Sequence, residues 1–157
     1  MRVTPIGIIH TPFQKLADMP IQPSGAQGVA GQIELNRELS AGLQDLDGFS
    51  HIFVLYRFHK ATRSCLSVTP FLDTEPHGVF ATRAPTRPNP IGLSVLELKG
   101  VRDNILQVEN VDMLDGTPLL DIKPYVPEFD TPRVARTGWL EKAEDGSKQT
   151  RSDSRFT

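Results

Sequence analysis

The strongest constraint in this sequence is a period of two. Apolar residues return at every second position over short stretches, and clusters of proline, glycine, asparagine and aspartate separate those stretches. Side chains alternate between the two faces of a β-strand, so the pattern fits strands and disfavours helices. Val3–Ile9 reads as a first strand, with Pro5 near its start, where a missing N–H is tolerated. Val29–Leu35, Gly78–Thr82, Ile91–Val101, Ile105–Val111 and Leu119–Tyr125 follow. Phe49–His59 is the strongest of the series. Its central residues are apolar on both faces, which predicts burial on both sides. One helix is expected, from Arg37 to about Leu46, with Asn36 as its cap and Leu39, Leu43 and Leu46 at helical spacing. Asp103-Asn104 supplies hairpin-turn chemistry between the strands on either side. Short strands, one helix and turn-rich loops predict a mainly β fold: an antiparallel barrel or sandwich with one or two short helices and long loops.

A chain of 157 residues has the length of one domain. Residues 1–140 are expected to form it, leaving 141–157 as a polar tail of mixed charge. No stretch approaches the roughly 18 apolar residues of a membrane span. The N-terminus lacks a signal-peptide apolar run, so a cytoplasmic location is expected. The single cysteine, Cys65, excludes an internal disulfide and a thiolate zinc site, and its surroundings match no nucleophile motif. His51 and His59 share a strand face but lie roughly 26 Å apart at about 3.3 Å per residue, too far to ligate one metal. No metal is expected. Gly25, Gly28 and Gly31 recur in threes, which fits a flexible loop and not a dinucleotide fingerprint.

The net charge of −2 hides an asymmetry. Arg57–Arg102 carries 7 basic against 3 acidic residues, while the remainder carries 10 against 16. A basic block inside an acidic chain points to a directed anionic partner.

Three segments carry chemistry. In Gly78–Ser94, Pro85, Pro88 and Pro90 fix φ and stiffen a loop that presents Arg83, Arg87 and Asn89. Guanidinium forks held with little entropy left to lose suit anion or nucleotide recognition, although such a loop also serves as a plain rigid turn. In Asp112–Tyr125, Asp115-Gly116-Thr117-Pro118 is a turn beside clustered carboxylates, which suit ribose hydroxyls or an amino group. The strand after it places Leu119, Asp121, Lys123 and Tyr125 on one face, where Asp121 and Lys123 also fit an ordinary surface pair. His59-Lys60 closes the Phe49–His59 strand, at an end where binding residues concentrate.

Together these segments resemble the TsaA-like, or TrmO-like, family of tRNA methyltransferases, from about Pro5 to Trp139 and in its short single-domain form. The resemblance implies a small β-barrel that binds S-adenosylmethionine without a Rossmann unit. It also implies methyl transfer to the exocyclic N6 of a threonylcarbamoyl-modified adenosine beside the anticodon of tRNA. By the same resemblance, Pro20, Ile21 and Gln22, His59 and Lys60, Arg83, Leu93, and Asp112, Met113, Leu114 and Asp115 hold the cofactor. A homodimer with the site near its interface is a further implication. The exocyclic nitrogen is a poor nucleophile, so a proton acceptor is expected; Asp112, Asp115 and Tyr125 are candidates that the sequence does not separate. Arg57, Arg87, Asn89 and Lys123 are the candidates for substrate binding, the three cations for phosphate or the threonyl carboxylate. Two readings compete: the same chemistry on a small molecule or another RNA, and a non-catalytic RNA-binding barrel. The second would need stacking aromatics in a basic groove, and only Phe71, Tyr125, Phe129 and Trp139 fall on loops or ends.

Overall fold

The computed structural model describes residues 2–20 and 25–142. Its strands are β1 (Gly7–His10), β2 (Ala30–Leu35), β3 (His51–Arg57), β4 (Ser67–Val68), β5 (His77–Gly78), β6 (Ile91–Arg102), β7 (Ile105–Glu109) and β8 (Thr117–Pro124). Six of them close into an antiparallel barrel in the order β1-β2-β7-β6-β3-β8, with β8 returning to β1. Closure leaves no free edge, which solves the aggregation problem of short apolar strands. β4 and β5 form a separate two-stranded ribbon.

The period of two becomes an inside and an outside. Ile9, Ile33, Ile52, Val54, Leu96, Leu106, Val108 and Leu119 fill the barrel, each with almost no exposed surface. On β3 the buried residues are Ile52, Val54 and Tyr56, while Phe53 and Leu55 between them are only partly covered. The expectation of burial on both faces is therefore corrected. A barrel wall has one interior, and the outer face is covered locally, as where Tyr125 packs edge-on against Phe53 at 5.4 Å.

The expected helix over Arg37–Leu46 is also corrected. Arg37–Leu43 and Leu46–Gly48 are two 3₁₀ segments, separated by Asp45 at φ 65°. The Asn36 side chain makes no capping bond; its backbone N–H instead donates to the Ile6 carbonyl at 2.8 Å. The one α-helical turn among the described residues, α1, is Pro127–Asp130. In the expected strand Gly78–Thr82, only Gly78 pairs, and Val79–Ala81 is a 3₁₀ turn tied by the Thr82 hydroxyl to the Val79 carbonyl.

Local devices at the hairpin and on β8 help to set the register. At the β6–β7 hairpin, Asp103 takes a left-handed φ of 54° and the buried Asn104 amide donates to the Leu35 carbonyl at 2.7 Å. On β8, Leu55 opposes Asp121 but Tyr56 opposes Leu119, so Leu120 is an extra residue in a bulge. The bulge reverses the expected alternation. Leu119 joins the core, Ile122 packs against it, and Asp121 and Lys123 pair with each other at 2.8 Å on the outer face.

Candidate functional site

A cavity of about 870 Å³ opens at the barrel rim where β3 ends and β6 and β8 begin. Ligand pockets commonly span about 300–1,000 Å³. Its floor is Tyr56, Gly92, Asp112, Met113 and Thr117. Arg57–Ala61 continues from β3 along one side, and the loop Phe80–Pro85 with Arg87 and Asn89 forms another. Leu16, Met19, Phe71, Leu72, Trp139 and Leu140 close the outer wall.

The proline-rich loop is rigid for more reasons than its prolines. The Arg87 Nη1 group donates to the carbonyls of Thr82 at 3.0 Å and Ala84 at 3.2 Å. The Cys65 N–H donates to the Thr86 carbonyl at 3.1 Å, which ties the loop to a small apolar cluster of Val68, Val79 and Ala84. Arg87 thus lines the cavity but spends part of its fork holding the loop. Arg83 is one of the nearest cationic side chains to the floor; its charge acts on both Asp112 and Tyr56.

The floor holds a buried polar chain. Ser94, 2% exposed, donates from Oγ to Asp112 Oδ1 at 2.8 Å. That commits its only hydroxyl proton, so Tyr56 donates to Ser94 Oγ across 3.2 Å. Burial pushes the Asp112 carboxyl up to about 6, against the opposing pull of the Ser94 bond, its own backbone N–H and the Arg83 charge. Burial likewise pushes the Tyr56 hydroxyl well above the ordinary phenol range. The Tyr56 ring lies against the backbone of Gly92, its cross-strand partner, where a Cβ would collide with it. Beside the floor, burial and then the Lys60 charge lower the proton affinity of His59.

Of the residues expected to hold a cofactor, His59, Lys60, Arg83, Leu93, Asp112, Met113 and Leu114 line this cavity. Pro20 is fully buried and lies outside the lining, although its neighbour Met19 belongs to it. Ile21 and Gln22 fall outside the described residues. Asp115 does not line the cavity. Its carboxylate accepts the Thr11 N–H at 3.0 Å, the bond that most lowers its proton affinity, and lies 3.6 Å from His10. Of the expected substrate residues, Arg57, Arg87 and Asn89 line the cavity and Lys123 does not. Tyr125 is elsewhere too, with its hydroxyl 2.8 Å from Thr131. Among the three proton-acceptor candidates, only Asp112 is at the cavity.

Sequence reasoning missed Tyr56 and Ser94, which read as ordinary strand residues. Their signal is the pairing of β3 with β6, which sets Tyr56 opposite Gly92 and Val54 opposite Ser94. Trp139 reads in the sequence only as a loop aromatic. Its indole donates to the Ala81 carbonyl at 2.8 Å and stacks on His77 at 4.6 Å, which docks the segment after α1 onto the cavity wall. Among the described residues no group of three His, Cys, Asp or Glu is placed to hold a metal, and no helix is long and apolar enough to cross a membrane.

A closed six-stranded antiparallel barrel with a ligand cavity at its rim, floored by a buried carboxylate, defines the class of protein. Residues 8–131 match the family model of the tRNA-methyltransferase O N-terminal domain. The chain belongs to that family. A probable S-adenosyl-L-methionine-binding protein of Pyrococcus abyssi is 55% identical over 97% of this chain and 83% of its own length. The mouse tRNA (adenine(37)-N6)-methyltransferase is 35% identical over 82% of this chain, which spans only 32% of that enzyme. The crystal structure of TrmO from Pseudomonas aeruginosa superposes with a TM-score of 0.75 at 40% identity, covering 88% of this chain and 62% of that one.

Proposed function

We propose that this chain is an S-adenosylmethionine-dependent methyltransferase that acts on tRNA, at the exocyclic N6 of the threonylcarbamoyl-modified adenosine next to the anticodon. The observation that carries the reading is the rim cavity, which joins apolar walls to a buried carboxylate with no salt-bridge partner among the described residues. A nucleoside bearing a charged amino-acid arm fits such a lining. Leu93, Met113 and Leu114 offer apolar contact, Asp112 meets positive charge, and Arg83 meets the carboxylate. S-adenosylmethionine supplies an activated methyl group on a sulfonium.

The chain's own residues bind and orient. Methyl transfer requires in-line approach of the nucleophile, so positioning supplies much of the acceleration. The Arg87 staple holds the shape of the loop that forms one wall of the cavity. Arg57, Asn89 and the remaining part of the Arg87 fork, all on the cavity lining, are the contacts for the anionic tRNA. An RNA-binding barrel without catalysis would need an open groove of stacking aromatics, and the recessed cavity favours the enzyme reading.

A homodimer belongs to the same proposal. Phe80, 75% exposed, with Ile91 and Leu93, leaves apolar surface at the cavity rim that a second copy would cover. A cytoplasmic location follows from a tRNA substrate. Nucleoside mass spectrometry of tRNA from a strain lacking the gene tests the substrate. Loss of the methylated threonylcarbamoyl-adenosine supports the reading, and its undiminished persistence, with no second such enzyme present, overturns it.

A further inference from the structure

The Tyr56–Ser94–Asp112 chain is costly to build. It places a carboxylate that is 7% exposed at the floor of the cavity, and burying an unpaired charge is unfavourable unless something compensates it. Ser94 gives one hydrogen bond and Tyr56 polarises that bond from behind. From the loop, Arg83 acts through its charge and forms no salt bridge with Asp112. The other charged groups on the cavity are Arg57, His59, Lys60 and Arg87. These are cationic or neutral, so Asp112 is the sole carboxylate among the described lining residues.

We propose that Tyr56, Ser94 and Asp112 form a charge-compensating proton store: Asp112 is ionised against the sulfonium cofactor and takes up the proton that the substrate nitrogen loses. The inference rests on the cofactor reading above. Methyl transfer forms an N–C bond, breaks the S–C bond with its electron pair left on sulfur, and frees the N6 proton. One positive charge disappears at sulfur and one proton appears at nitrogen. A proton moving to the Asp112 carboxylate keeps the charge of the floor and its ligands constant across the reaction. Tyr56 and Ser94 are positioning residues in this scheme, because their hydrogen bonds set how readily Asp112 holds its proton. The same network separates cofactor from demethylated product, since only the former carries the sulfonium charge.

Calorimetric titration in two buffers of different ionisation enthalpy near pH 6 tests this without any turnover. S-adenosylmethionine is expected to release roughly half a proton on binding, because a carboxyl titrating near that pH is about half protonated beforehand. S-adenosylhomocysteine is expected to release much less. In Asp112→Asn the release should vanish, and the preference for S-adenosylmethionine should fall by about tenfold or more, the scale of an opposite-charge contact. Ser94→Ala, which removes a bond to the charged form, should move the midpoint of release to higher pH, and Tyr56→Phe should move it less. The Asn variant also separates Asp112 from His59, the imidazole on the cavity whose proton affinity burial and the Lys60 charge lower. Equal release with both ligands would place Asp112 against the amino group they share and overturn the proposal. Release that survives in Asp112→Asn would do the same. No binding of S-adenosylmethionine at all is a different result, which removes the cofactor reading itself.

Discussion

Asp112, Gly92 and Arg83 show how single side chains decide the site. The Asp112 carboxyl is held near 6, above its ordinary value of 3.8. A raised folded-state value means that protonation favours the native state. Stability is thus gained as pH falls through about 6 and is fully present below the unfolded value. At pH 7.5 the buried charge costs about 3 kcal/mol, because each tenfold gain in proton affinity on folding corresponds to about 1.4 kcal/mol. Asp112→Asn should therefore be more stable than the parent by up to that amount at pH 7.5 and nearly equal to it at pH 3.5, as read from paired denaturant melts. A stability difference that does not change with pH would refute this. Gly92→Ala should cost about 1–3 kcal/mol, because the new Cβ meets the Tyr56 ring within a filled barrel. A melting temperature within about one degree of the parent would show that Tyr56 packs elsewhere. Arg83→Ala should weaken S-adenosylmethionine binding at least tenfold, about 1.4 kcal/mol. An unchanged affinity in the folded variant would place Arg83 outside the site.

At the scale of elements, the segment after α1 and the proline-rich loop form two walls of the cavity. The segment is docked through Trp139, whose indole hydrogen bond and ring contact are each worth about 1 kcal/mol. Trp139→Ala should leave the barrel's cooperative melt almost unchanged while hastening proteolytic cleavage after residue 130. Since Trp139 is the only tryptophan, its fluorescence in the parent should respond to cofactor binding at the wall it lines. Elements are also where the sequence is least readable. The β8 bulge shifts the inward set by one residue, so Leu119 and Ile122 both face the core although they stand an odd number of positions apart. Strict alternation carries no sign of that. The Arg37–Leu46 segment buries Leu43, but Asp45 interrupts it and Leu39 stays at the surface, because leucines at helical spacing do not by themselves supply a continuous partner face.

For the molecule as a whole, the barrel was legible because a period of two over many short segments admits few closed solutions. The rim cavity was legible in part. His59, Arg83, Leu93 and Asp112 stood out from loop chemistry and family resemblance, and all four line it. Tyr56 and Ser94 did not stand out, since a tyrosine and a serine in apolar strands look like core until β3 is paired with β6 and the Asp112 turn is brought across them. Asp115 and Tyr125 offer a proton acceptor and Lys123 an anion contact by residue type alone, but the fold gives them other partners in Thr11, Thr131 and Asp121. The central claim is that the rim cavity brings S-adenosylmethionine to the modified adenosine of tRNA. Its most direct measurement is transfer by the purified chain from methyl-labelled S-adenosylmethionine to unmethylated tRNA, read by nucleoside mass spectrometry. One labelled methyl group on N6 of the threonylcarbamoyl-adenosine is expected. Cofactor that binds yet leaves that nucleoside unlabelled, or label on any other nucleoside, would contradict it.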